Sequence, residues 1–187
     1  MNSFDTSLSP KNIFLRDRVL AILEQYTCFS DATVLEVGVG CGRWASLLAP
    51  LCQEYDGVDT NPERLAMARE IGLDNLSLYL GTGEALPVQG PYNVVLYMNS
   101  WHKMGFDSTL AESVRVLSPD GIILIEEPTD RSSFLDPKLV SGNPEYDTKM
   151  QDLRRGAGYL ETQTQVDLVE NGPFDTTKQY WVLKRKH

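Results

Sequence analysis

Val34-Leu35-Glu36-Val37-Gly38-Val39-Gly40-Cys41-Gly42 is the stretch that decides the fold: a short β-prone run ends in three alternating glycines. Glycines at a strand exit let the backbone turn tightly and approach a ligand with no Cβ in the way. Beyond them Trp44, Leu47, Leu48 and Leu51 have helical spacing, although Pro50 should end or bend that helix. The helix N-terminus adds partial positive charge beside the loop. In dinucleotide-binding proteins a strand, loop and helix of this kind carry G-x-G-x-x-G and cradle a pyrophosphate. Here the third glycine comes one residue early, which disfavours a nicotinamide cofactor. Two readings stay open for the loop, a ligand cradle or a plain tight turn.

Leu15, Val19, Ile22 and Leu23 place one helical face in residues 13–23, ahead of the glycine unit. Downstream, Tyr55–Val58 is a second strand with Asp59 at its C-terminal end, 21 residues after Gly38. An acid there accepts both hydroxyls of an adenosine ribose in open α/β folds, or else caps the helix that follows. Asn61 and Pro62 already supply an N-cap and an N1 proline for that helix, with Gly72 as its stop. Leu76, Leu78 and Leu80 alternate as a third strand, and Tyr92–Met98 is an apolar fourth. Leu110, Val114 and Leu117 give a helix that stops at Ser118-Pro119-Asp120-Gly121, and Ile122–Ile125 is a buried fifth strand.

Five strand–helix alternations predict an α/β fold with a doubly wound, mostly parallel, Rossmann-like sheet covered on both faces. Beyond Glu126 the pattern changes. Residues 128–145 read as a loop, 145–155 as a helix, and Thr162–Val169 and Gln179–Lys184 as strands. Turn formers fill 170–177 between those strands, so they are expected as an antiparallel hairpin. The 187 residues form one expected domain, with 1–30 as an N-terminal helical cap and 128–158 as a substrate lid.

Charge excludes one large class of partner. The chain has 17 Lys and Arg against 26 Asp and Glu, a formal charge of -9, whereas proteins that grip phosphate backbones show a basic stripe. Its basic cluster, Lys184-Arg185-Lys186, reads as a frayed polar terminus. No run of eighteen apolar residues offers a membrane span, and the start lacks signal-peptide features. Three cysteines give no disulfide framework, so the expected location is the cytoplasm. His102 and His187 are isolated, and Tyr97-Met98-Asn99 puts no carboxylate at the end of the fourth strand. Glu126, Glu127 and Asp130 read as a solvated strand exit, and no metal is expected.

The segments Val34–Trp44, Tyr55–Glu63, Gly81–Val88, Tyr92–Met104 and Val114–Glu126 resemble, in order and spacing, the class I S-adenosylmethionine-dependent methyltransferases. The resemblance covers about residues 30–130 and is to the small-molecule branch of the methyltransferase type 11 kind. It implies seven strands, five parallel ones and a C-terminal antiparallel hairpin, with S-adenosylmethionine as cofactor. It also implies that Glu36, Gly38, Gly40 and Gly42 border the methionine part of the cofactor. Asp59 and Thr60 lie at the ribose, and Met98 and Asn99 complete the site from the fourth strand. The family often has an acid where this chain has Thr82, which shifts the expected adenine contact toward Gly83 and Glu84. Asn93 and Asp120 also depart from the family pattern, at strand-end and turn positions away from the chemistry.

Methyl transfer from a sulfonium is an in-line displacement, so the protein mainly aligns the acceptor, and a base is needed only for a protonated one. Tyr97-Met98-Asn99-Ser100-Trp101-His102 follows the fourth strand, where acceptor contacts belong. Tyr97 or Trp101 is positioned to face the sulfonium through a ring, and Asn99 to orient the acceptor. Trp101 and Phe106 read either as a lid's apolar underside or as a stacking platform. His102 is the candidate base, with a packed structural histidine as the other reading. The expected function is methylation of a small molecule. The alternatives are a peptide or protein N-methyltransferase and a non-catalytic methyltransferase-like binding subunit.

Overall fold

Ser9 starts the first helix: its side chain accepts a hydrogen bond from the Asn12 N–H, and Pro10 takes the first helical position. Helix α1 therefore runs Pro10–Leu23, three residues earlier than apolar spacing alone indicates. The computed structural model describes residues 8–128, 147–148, 151, 160–168 and 178–185. After α1 come β1 (Thr33–Val37), α2 (Arg43–Leu48), β2 (Glu54–Asp59), α3 (Pro62–Arg69) and β3 (Leu76–Leu80). Then follow β4 (Tyr92–Met98), α4 (Phe106–Val116), β5 (Leu117–Pro128), β6 (Leu160–Leu168) and β7 (Lys178–Arg185). Pro50 does stop α2, which passes into a 3-10 turn at Ala49–Leu51. Asn61 caps α3 by accepting from the Glu63 and Arg64 N–H groups.

Among the described residues seven strands form one sheet, in the order β3-β2-β1-β4-β5-β7-β6. The first five are parallel, and β7 pairs antiparallel with both β5 and β6. This is the expected doubly wound sheet with its terminal antiparallel pair. Central strands covered on both faces need apolar side chains throughout, and Val34, Leu35, Val94, Val95 and Leu96 are all fully buried. On one face α1, α2 and α3 pack over Val34, Leu96 and Leu124. On the other, α4 covers Val37, Tyr97 and Ile125. The chain leaves β1 for β2 on one side and reaches β4 on the other. That reversal opens a crevice at the C-terminal ends of β1 and β4.

Four sequence expectations change. No helix connects β3 to β4. Leu86 and Val88 of that irregular connection are buried and patch the α4 face themselves. Leu117 does not end α4 but begins β5, pairing with Tyr92. Ser118–Gly121 lie inside the strand, where the register shifts before Val94 meets Ile122. Lys184 and Arg185 are not frayed either. Arg185 donates to the Val114 and Leu117 carbonyls, satisfying the end of α4, and Lys184 lies over the Tyr26 ring. Finally, the buried glutamates at the end of β5 are not solvated, as described below. The 128–145 loop lies outside the described residues beyond Pro128, as do the 170–177 turn and all of 145–155 except residues 147, 148 and 151, which are helical. Cys28, Cys41 and Cys52 are free thiols.

Candidate active site

All three loop glycines have left-handed backbones, with φ of 84° at Gly38, 57° at Gly40 and 82° at Gly42. Their surroundings differ. A Cβ on Gly38 would lie 2.5 Å from the Ser100 Cβ, and one on Gly42 would lie 2.4 Å from the Ile71 Cδ1. A Cβ on Gly40 would meet nothing within 4 Å. Two glycines thus let the loop pack on its own protein, and the middle one keeps an open backbone. Asp59 staples this loop in place. Its Oδ2 accepts from the Gly40 N–H at 2.8 Å and its Oδ1 from the Asn61 N–H at 2.9 Å. A carboxylate has about four acceptor positions, so Asp59 retains capacity for further donors.

A cleft opens at the strand ends. Val37 and Gly38 line it from β1, and Val58, Asp59 and Thr60 from β2. Gly81, Thr82, Gly83 and Glu84 line it after β3, and Asn99, Ser100, Lys103 and Met104 after β4. Arg64 reaches it from α3. Of the residues singled out from sequence, Gly38, Asp59, Thr60, Thr82, Gly83, Glu84 and Asn99 come together here. Ser100, Lys103, Met104 and Arg64 had no signal beyond being neighbours of Asn99 and Asp59 in the chain. Ser100 is more than wall: its hydroxyl donates to the Val37 carbonyl, locking the β4 exit onto β1. Glu84 accepts from the Gly105 N–H at 2.8 Å, supplying the cap that Gly105 lacks at the start of α4.

Other expected site residues sit elsewhere. Glu36 is buried under the α1–α2 face and accepts from the Tyr55 hydroxyl at 2.9 Å. Burial pushes its carboxyl up to about 8; the Tyr55 bond pulls the other way, and Asp59 and Glu126 add to the rise. Burial likewise holds the Tyr55 hydroxyl well above its ordinary range. Met98 is buried in the same core. Neither lines the cleft, because strand alternation turns both into the packed face. Tyr97 points into the opposite core, where its hydroxyl bonds the Ser113 hydroxyl. Its ring meets Trp101 edge to face at 4.7 Å, and Trp101 meets Phe106 in the same way at 5.7 Å. The three aromatics therefore form the loop's apolar underside, and Tyr97 and Trp101 are both buried away from the cleft.

His102 lies between the cleft residues Ser100 and Lys103 without itself lining the cleft. Its Nδ1 is 2.6 Å from the Glu127 Oε2, and its backbone N–H donates to the Glu127 Oε1 at 3.3 Å. Glu127 is wholly buried. Its neighbour Glu126 is buried on the other sheet face, accepting from the Asn99 amide at 3.1 Å and from the Tyr180 hydroxyl at 2.7 Å. The Glu126 carbonyl also accepts from the Asn99 N–H, and Asn99 is held left-handed at φ 58°. A solvated strand exit was the expectation for these acids. Instead β7 runs alongside them, pairing Tyr180 with Glu126 and Gln179 with Glu127, and closes the strand end. Among the described residues no three His, Cys, Asp or Glu converge as metal ligands. No described helix is long and apolar enough to cross a membrane.

Residues 34–121 match the family model described as a methyltransferase domain. A protein-L-isoaspartate O-methyltransferase of Koribacter versatilis is 38% identical over 68 residues, 34% of this chain and 31% of the relative. The match thus spans about a third of the length of the curated relatives. An S-adenosylmethionine-dependent methyltransferase from Aquifex aeolicus shares the fold with a TM-score of 0.73 and 17% identity, covering 97% of this chain and 98% of that one. The N-methyltransferase NodS from Bradyrhizobium japonicum shares it at 0.68 and 15% identity, covering 96% and 100%. A methyltransferase-domain match thus spans 34–121, just under half of the chain, and the fold is the one these solved methyltransferases share.

Proposed function

We propose that the protein transfers the methyl group of S-adenosylmethionine to a small-molecule acceptor in the cytoplasm, with the cofactor seated across the β1–β4 crevice. The observation that carries this reading is the convergence of Gly38, Asp59, Thr82–Glu84 and Asn99 on one cleft. The residues present fit the cofactor: Gly40 leaves its backbone open, and Asp59 keeps acceptor positions beyond its two backbone bonds. Asp59 then holds the ribose hydroxyls, with Thr60 beside it. Thr82, Gly83 and Glu84 frame the adenine, and the Gly38–Gly42 loop borders the methionine end. The bound cofactor supplies a sulfonium-activated methyl group ready for in-line displacement.

The chain's own share is alignment, worth about 7–11 kcal/mol when the acceptor is held close and in line. Asn99, fixed in one conformation by Glu126, orients the acceptor from the β4 side. His102 takes the proton from a hydroxyl or amine acceptor as the bond to carbon forms. Free thiols at all three cysteines suit a reducing compartment. A polypeptide acceptor is the second reading, supported by the short match to protein-L-isoaspartate O-methyltransferases and by a net charge of -9 that suits a basic peptide. The two are separated by incubating the protein with methyl-tritiated S-adenosylmethionine and a cell extract split by size. A protein-dependent low-mass product, resolved from S-adenosylmethionine itself, is the expected result; protein-dependent label found only in polypeptide overturns the small-molecule reading.

A further inference from the structure

A carboxylate buried to full exclusion of solvent must find donors, and both described donors to Glu127 come from one residue. The His102 backbone N–H occupies Oε1, which leaves Oε2 for the ring Nδ1 at 2.6 Å. An ionised carboxylate only accepts, so with Glu127 ionised Nδ1 carries the proton, and in the neutral ring the lone pair then falls on Nε2. The platform is stiff. Glu127 stands in β5, paired on one side with β7, while its strand neighbour Glu126 pairs with Met98 of β4. The loop bearing His102 is pinned just ahead of it, by Ser100 to Val37 and by Trp101 between Tyr97 and Phe106. A strand residue that grips both the backbone and the ring of a loop residue orients that ring more closely than a loop alone.

We propose that Glu127 is a positioning residue that fixes His102 in the Nδ1–H tautomer, with the ring lone pair on Nε2. The proposal rests on the reading of His102 as the base, and it is tested without turnover. The chain has two histidines, so His187→Gln leaves His102 as the only imidazole signal. Long-range proton–nitrogen correlation spectra of histidine-labelled protein, recorded at alkaline pH on the neutral ring, report the tautomer directly. The expected pattern is a protonated Nδ1 and an unprotonated Nε2.

Glu127→Gln is nearly isosteric but offers one accepting oxygen in place of two. With that oxygen on the backbone N–H, its amide N–H faces Nδ1 and demands a lone pair there, so the pattern should invert to Nε2–H. Glu127→Asp should restore the wild-type pattern. A wild-type ring protonated on Nε2 overturns the proposal even if Glu127→Gln fails to fold. So does a folded Glu127→Gln with an unchanged pattern, which would leave Glu127 a packing residue. The base reading fails separately: His102→Ala with full kcat would retire it, while the tautomer result would stand on its own spectra.

Discussion

The two loops that face each other across the cleft are built on opposite principles. The Gly38–Gly42 loop is shaped by the absence of side chains: two of its glycines make room for Ser100 and Ile71, and the third stays open. The 99–104 loop is shaped by side chains, with two consecutive buried glutamates reaching to Asn99 and His102 from opposite faces of β5. The first design brings backbone close to a ligand. The second fixes polar groups at defined angles, which is what an acceptor requires.

That contrast can be broken most sharply at His102. His102→Ala should lower kcat by about 10²–10⁴-fold with cofactor affinity nearly intact. A rise in KM or a lower melting temperature with kcat preserved would instead mark a packing histidine. Next come the glycines. Gly38→Ala should cost roughly 2–5 kcal/mol of stability, from the left-handed backbone and the Ser100 overlap together. Gly40→Ala should cost only about 1–2 kcal/mol, since its Cβ has space, while weakening cofactor binding. Equal losses of stability in urea titrations would erase the division of labour within the loop.

Glu36 offers a pH-dependent test. The fold buries its neutral carboxyl, with the folded value raised from an ordinary 4.5 to about 8. Its contribution is intact below the unfolded value and is lost as pH rises through 8, because the unfolded chain ionises first. Glu36→Gln stays neutral, so its stability advantage should grow between those two values and reach up to roughly 5 kcal/mol in alkaline solution. An advantage that does not change with pH would show that Glu36 is not held neutral. Asp59→Ala should weaken S-adenosylmethionine binding roughly tenfold or more, given about 1.5–3 kcal/mol for each bond to a charged group. An unchanged dissociation constant in calorimetry removes Asp59 from the ribose. The smallest expected effect is none: EDTA should leave turnover untouched, because Glu126 and Glu127 are committed to Asn99, Tyr180 and His102. Activity lost to EDTA and restored by magnesium would show that those acids have another use.

What could be read in the chain beforehand follows from local chemistry. Val34–Gly42 announced strand, turn and helix, because glycine, proline and apolar period act over a few residues. Asn61 and Pro62 likewise fixed the start of α3, and their presence freed Asp59 for another role. The family resemblance pointed to Thr82, Gly83 and Glu84, and position at the end of β4 to Asn99, and all four line the same cleft. Tyr97, Met98 and Glu36 were harder. They belong to the right segments, yet a strand's alternation decides which face each takes, and only the covering helices decide whether that face is core or cleft.

The sequence by itself determined the strand–helix order, the left-handed glycine turn and the acid ending β2, since each depends on neighbours within a helical turn. Tertiary structure alone decided the fate of Glu126 and Glu127. Whether a carboxylate is solvated or buried depends on what lies beside it in space. Here that is β7, some fifty residues further along the chain, together with the loop that starts at Asn99.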